Sequence, residues 1–239
     1  MILREFNLPD KAIVSKKIHK KHIYENGELN KVEKELIKND VEKIVWEYSL
    51  KPVNINIDEY KSEDLEYLGV EFFSLVLRQE KNYQKIVSLI QKIMQNPLII
   101  VLELDDKFYI NASLKRINKK DINKMIVEES IISKEIEIDN LKDNFYKFIE
   151  SLNIKNLSFK NFYRFYEDIY NKIIYFNLST FTGNYDESIE IDEAKEFLVQ
   201  YEKREENLTV LKNRLKSEKQ NSKKAEIVKE IKKIMDNNV

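Results

Sequence analysis

Three acids and one lysine fall where a metal-dependent nuclease would need them. Glu103 and Asp105 sit at the end of an apolar run, Leu98-Ile-Ile-Val-Leu-Glu-Leu104, and the following run, Phe108-Tyr-Ile-Asn-Ala-Ser-Leu114, leads directly into Lys115. Carboxylates on one strand with an acid-x-Lys on the next would hold Mg²⁺ and position a water for phosphodiester attack. Ser113 occupies the place of the second acid, however, and a hydroxyl cannot supply a carboxylate's charge. Glu71, in the preceding apolar run, is the acid left to substitute. A nuclease reading therefore rests on Glu71, Glu103, Asp105 and Lys115, and its conventional metal site is incomplete.

A second chemistry is contact with phosphate. Lys11, Lys16, Lys17, Lys20 and Lys21 fall within residues 11–22 with no acid among them, and Lys115, Arg116, Lys119, Lys120 and Lys124 form a further cluster broken by Asp121 alone. Either could lie along a nucleic-acid backbone. The competing reading is a solvated surface in a chain that uses lysine heavily throughout. His19 and His22, three apart, make a poor cation site among lysines and without a nearby carboxylate. With no Cys and three scattered Gly, the chain can build neither a cysteine-held zinc site nor a glycine-rich phosphate loop. No metal and no cofactor is expected.

Nearly equal numbers of acids and bases, 42 against 41, rule out a global attraction to nucleic acid or anionic membrane. The hydrophobic share of 42% is enough for a sizeable core. No basic leader or run of about 20 apolar residues is present, so a cytoplasmic protein without a membrane contact is expected.

The elements follow from the periodicities. Leu29, Val32, Leu36, Ile37, Val41, Ile44, Val45 and Tyr48 step by threes and fours, which predicts one helix, containing Trp46 and ended by Pro52. Strands are expected at 53–57, 66–77, 98–104 and 107–114, with another around 125–127 or 131–138, and a helix at 82–95. The short polar link Asp105-Asp106-Lys107 predicts a hairpin. Aromatic-rich helices are expected at 140–152 and 159–178, the second capped by Ser158, with Phe162, Phe165, Ile169, Ile173 and Phe176 inward. From Ile191, apolar residues including Leu198, Tyr201, Leu208 and Leu215 follow a heptad-like spacing that puts Glu205 and Lys212 at core positions. A polar stretch at 217–222 separates them from Ile227 and Ile231 on a last helix. The expected fold is α+β: a mixed domain with a small sheet and flanking helices at 1–138, an aromatic-rich helical region at 139–185, and a charged two-helix hairpin at 186–239.

The order Phe6-Asn7-Leu8-Pro9, Lys17-Ile18-His19-Lys20, Ile23-Tyr24-Glu25, then Trp46-Glu-Tyr-Ser-Leu50-Lys-Pro52 and Asn54-Ile55 resembles the bacterial family domain of unknown function forty-three ninety-one. The likeness extends to the hairpin ending Lys115-Arg116 and to the lysine-rich tail. His19 stands where that family often has Pro. The resemblance implies a companion of helicase and DNA-methyltransferase genes in restriction or phage-defence loci, and carries over no catalytic residue. The expected function is a non-enzymatic accessory or adaptor subunit that docks a helicase or methyltransferase through Leu198, Tyr201, Leu208, Leu215, Ile227 and Ile231, with weak DNA contact. The alternatives are a divergent metal-dependent nuclease and a stand-alone DNA-binding module.

Overall fold

Residues 41–50, whose apolar spacing imitates a helix, form a central strand. The computed structural model describes residues 2–27, 29–137 and 143–236. In chain order these form β1 (Ile13–Lys17), α1 (Lys20–Asn26), α2 (Lys31–Asp40), β2 (Val41–Leu50), the short pair β3 (Tyr60–Lys61) and β4 (Glu66–Tyr67), then β5 (Val70–Leu77) and α3 (Tyr83–Ile93). There follow β6 (Leu98–Leu104), β7 (Lys107–Asn118), β8 (Asp121–Ile132), β9 (Ile136–Glu137), α4 (Asp143–Ser151), α5 (Phe162–Thr182), α6 (Ile191–Ser217) and α7 (Asn221–Asp236).

The expected single helix over 29–48 is thus two elements. Asn30 accepts the Glu33 N–H while the Glu33 carboxylate accepts the Asn30 N–H, a reciprocal cap that starts α2. The chain turns extended at Val41 because 41–50 is rich in β-branched and aromatic residues and is paired on both sides. Irregular register between Val41 and Lys43, and again between Trp46 and Tyr48, breaks the two-residue alternation and produces the three-and-four spacing.

The main sheet runs β1-β2-β5-β6-β7-β8, with β9 also on β7. β5 and β6 are parallel and joined through α3; the other neighbours are antiparallel. β6 and β7 form the expected hairpin, its turn opened by Asp105 at φ 52°, a left-handed conformation that Asp tolerates. β8 is one long strand that covers the place expected at 125–127 and the first two residues of the one expected at 131–138, within which Ile136–Glu137 form β9. Residues 53–57 are a turn and not a strand. Asn54 donates to the Ser49 carbonyl and accepts the Lys51 N–H, a local closure that competes with strand pairing. The 66–77 run is split at Gly69, where a Cβ would meet the Leu50 carbonyl oxygen at 2.4 Å.

Both sheet faces are covered. Ile86, Val87 and Ile90 of α3, with Ile23 and Ile37 of α1 and α2, pack on the face carrying Phe73, Leu75, Ile100 and Leu102. Phe162, Phe165, Tyr166, Ile169 and Ile173 of α5, Phe148 of α4, and Ala194 and Leu198 of α6 pack on the other, against Phe72, Ile99 and Ile110. Asn161, not Ser158, caps α5 by accepting the Arg164 N–H; the Ser158 N–H instead donates to Asp168. Gly183 at φ 78° ends α5. The sheet, the aromatic helices and the start of α6 therefore form one packed body with a core cluster on each sheet face. The boundary expected at 138/139 and the start of the helix expected at 140 lie outside the described residues.

Candidate functional site

One row of side chains crosses the α3 face of the sheet. Lys16 of β1 stands opposite Trp46 of β2, Trp46 opposite Phe73 of β5, and Phe73 beside Ile100 of β6. Residues paired in this way share a face. Two positions before Phe73 on the same strand, Glu71 points to that face at the sheet's end. His19, His22 and Ile23 close one side of the space above, and Ile93 to Asn96, where α3 ends, close the other. The result is a cavity of about 510 Å³, within the range of small-molecule sites.

Glu71 is 3% exposed and is held by neutral donors. The Trp46 indole N–H donates to its Oε2 at 2.8 Å, and the Asn96 amide donates to Oε1 at 3.4 Å. Burial pushes its carboxyl above the ordinary carboxylate range, against the opposing pull of the Ser49 hydroxyl, the Trp46 N–H, the Lys51 charge and the Asn96 amide. Lys16, Lys17 and Lys51 also line the cavity, and Glu71 is the acid among its lining residues. Trp46 is tilted against Phe73 with ring centroids 6.4 Å apart.

Of the four residues expected of a nuclease, two are linked. Lys115 is buried, and its ammonium donates to the Met94 and Asn96 carbonyls at 2.6 and 2.9 Å, so Asn96 bridges Lys115 and Glu71. Burial lowers the Lys115 pKa to about 7. Its strand is anchored from the opposite layer. The Tyr67 hydroxyl accepts the Lys115 backbone N–H at 3.0 Å, and the Tyr166 hydroxyl accepts that of Ser113 at 2.7 Å, beside an irregularity in the β7–β8 register. Glu103 and Asp105 lie elsewhere: Glu103 pairs with Phe108, seven residues along β7 from Lys115, or about 23 Å at strand rise. Among the described residues no three His, Asp or Glu are grouped to hold a metal.

The cationic residues are scattered. Lys16 and Lys17 lie on the edge strand β1, exposed at the cavity rim. Lys11 is exposed in the turn before β1. Lys20 donates to the Lys38 and Val41 carbonyls and so ties α1 to α2 and β2. Lys21 pairs with Glu25 at 3.5 Å. In the second cluster Lys115 is enclosed, Arg116 pairs with Glu128 and Lys119 with Asp64, while Lys120 is exposed in the β7–β8 turn. His19 and His22 share an edge-to-face contact at 6.2 Å with Lys16 and Lys17 beside them at the rim.

The six expected docking residues divide into two groups. Leu198 is buried in the body's core, and Tyr201 stacks on Phe181 at 5.3 Å, so both anchor α6 to α5. Leu208 and Ile227 are buried along the α6–α7 hairpin, and Leu215 and Ile231 are half-buried there. Arg204 donates to the Met235 carbonyl at 3.0 Å, binding α6 to the end of α7. Glu205 and Lys212 are exposed; Arg204 and Leu211 take the inward positions, because a straight helix drifts from a strict heptad.

Sequence reasoning singled out Glu71, Lys16, Lys17 and Lys115 but passed over Trp46, Phe73 and Asn96. A strand reading of 41–50 would have put Trp46 on a sheet face, but its pairing with Lys16 is non-local; nothing local marks Asn96, which enters through the crossover.

These features define an α+β protein with one mixed sheet, helices on both faces and a ligand-sized cavity at the sheet's end. The family model described as Domain of unknown function (DUF4391) matches residues 6–237, and the chain belongs to that family. No curated protein and no solved structure matches it.

Proposed function

We propose that the protein is a non-enzymatic accessory subunit of a bacterial DNA-helicase or DNA-methyltransferase system of the restriction or phage-defence kind, working in the cytoplasm and docking its partner through the α6–α7 hairpin. The observation that carries this reading is the unfinished burial of the hairpin. Among the described residues beyond Tyr201, only Leu208 and Ile227 are buried, while Leu211, Leu215, Ile231 and Ile234 remain half-exposed and Val210, Val228 and Met235 are exposed. A helix of the partner laid along that stripe would bury it. Residues 201–239 carry eleven Lys and Arg against seven Asp and Glu, which favours an acidic partner helix. The exposed Lys11, Lys16, Lys17 and Lys120 would add weak, salt-sensitive DNA contact. The nuclease alternative is less well supported, since Glu103 and Asp105 stand at the far end of β6 from Glu71 and Lys115.

The test is co-expression of the full chain with the helicase or methyltransferase encoded beside it. Leu215→Glu with Ile231→Glu is expected to reduce co-purification at least about tenfold, equivalent to ~1.4 kcal/mol, while the body melts as wild type. Retention of the partner by a well-folded double variant refutes docking through the hairpin.

A further inference from the structure

We infer that the cavity between β1, β2, β5 and the end of α3 binds a nucleotide unit, with its base stacked on Trp46, the amino-bearing edge of the base facing Glu71, and its phosphate at Lys16 and Lys17. This inference is independent of the hairpin and goes beyond partner docking.

Three observations converge. The cavity has an aromatic wall, Trp46 backed by Phe73, and aromatic rings are the usual platform for a base. Its charges are segregated by depth: Glu71 is buried, while Lys16 and Lys17 are exposed at the rim. And Glu71 retains acceptor capacity. A carboxylate offers about four lone-pair sites; Trp46 engages one at 2.8 Å, Asn96 makes a long contact at 3.4 Å, and the neighbouring Ser49 hydroxyl draws on the same carboxyl. A ligand that satisfies all three is flat and aromatic, carries N–H donors at its deep end and is anionic at its outer end.

That combination selects among ligand classes. An inorganic anion has no use for the Trp46 wall and would be repelled by Glu71. A divalent cation would meet a single carboxylate among lysines. A nucleotide supplies each part, and guanine is the best base, because its N1–H and its amino group are adjacent donors that can pair with one carboxylate. Uracil and thymine offer one N–H between two carbonyls and lack the amino group. The unit could be a free nucleotide or the end of a single strand, which present the same base and phosphate.

Trp46 is the single tryptophan of the chain, so its fluorescence reports on this cavity. The full chain is titrated with guanosine monophosphate, uridine monophosphate, ribose 5-phosphate and a short single-stranded oligonucleotide ending in guanosine. Saturable quenching by guanosine monophosphate or the oligonucleotide is expected; whichever binds more tightly identifies the source. Uridine monophosphate should bind about tenfold or more weakly, as befits the loss of a paired base contact, and Glu71→Gln should reduce that preference. Lys16→Gln with Lys17→Gln, on an exposed edge strand, should weaken binding and lower its salt dependence. Should Glu71→Gln fail to fold, this lysine pair still decides the question. No quenching by either guanosine ligand overturns the proposal, as does equal binding of ribose 5-phosphate, or an affinity and salt slope unchanged in the lysine variant.

Discussion

The sheet body and the terminal hairpin come from one lysine-rich chain and reach opposite states of burial. In the body, α5 encloses Phe162, Phe165, Tyr166, Ile169 and Ile173 against a sheet that is covered on its other face by α3. Among the described residues α7 buries Ile227 alone. Overall composition does not separate these regimes, since apolar and charged residues occur in both. What separates them is the number of layers: a helix between a sheet and further helices is surrounded, whereas a two-helix arm shields one seam and leaves its flanks in water. At 16 residues α7 is only just past the length of about 12–15 below which an isolated helix is marginal in water, so its stability comes mainly from packing. The body therefore holds most of the buried core, and the hairpin is the less enclosed part of the fold.

The largest effects should lie in the body. Phe165 is fully buried, and Phe165→Ala is expected to cost ~3–5 kcal/mol, a large share of a stability of about 5–15 kcal/mol. Urea unfolding followed by Trp46 fluorescence measures it, and a loss below about 1 kcal/mol would break the contrast drawn above. Tyr166→Phe keeps the ring but removes the hydroxyl that accepts the Ser113 N–H and donates toward the Leu98 carbonyl. Leaving such groups unpaired in the interior should cost about 1–3 kcal/mol.

How much of this was readable in the sequence follows the same division. The β6–β7 hairpin and the inward face of α5 were legible because each obeys an unbroken period, two for the strands and 3.6 for the helix. β2 was not, because its two irregularities convert a strand's alternation into a helix-like spacing, and Trp46 was misplaced with it. Glu71, Lys16, Lys17 and Lys115 could be picked out by type. Their grouping could not: Glu71 and Lys115 meet through Asn96, which is brought to them by the α3 crossover, and no local pattern encodes that meeting.

An intermediate, pH-dependent effect sharpens the comparison from inside the body. Lys115 has its pKa lowered from 10.5 to about 7 by burial. Between those values the unfolded chain holds a proton that the folded chain has released, so folding stability rises with pH across the window. Below about pH 7 both forms are protonated and the cost of burying the charge is fully present. The neutral amine keeps two N–H groups, enough for the Met94 and Asn96 carbonyls it serves. Relative to Lys115→Met, the wild type should gain up to ~1.4 kcal/mol per pH unit above pH 7. A flat difference in melting between pH 7 and 9 would mean that the two carbonyls hold the ammonium charged.

The smallest global effect belongs to the hairpin, and it is the most discriminating. Removing a buried isoleucine from a shared core costs about 2–5 kcal/mol of total stability. Ile227, however, lies outside the two clusters that hold the sheet, and its helix packs along α6 beyond the point where Leu198 and Tyr201 fasten α6 to the body. Ile227→Ala should therefore loosen the arm without loosening its base. The body's urea midpoint by Trp46 fluorescence should move by less than about 0.5 kcal/mol, as for substitutions outside a core. Amide exchange in α7 and the second half of α6 should accelerate, with the body's amides unchanged, as for a locally opening unit. If Ile227→Ala lowers the body midpoint as far as Tyr166→Phe does, the hairpin is part of the cooperative core, and its half-exposed stripe loses its claim to be a surface awaiting a partner.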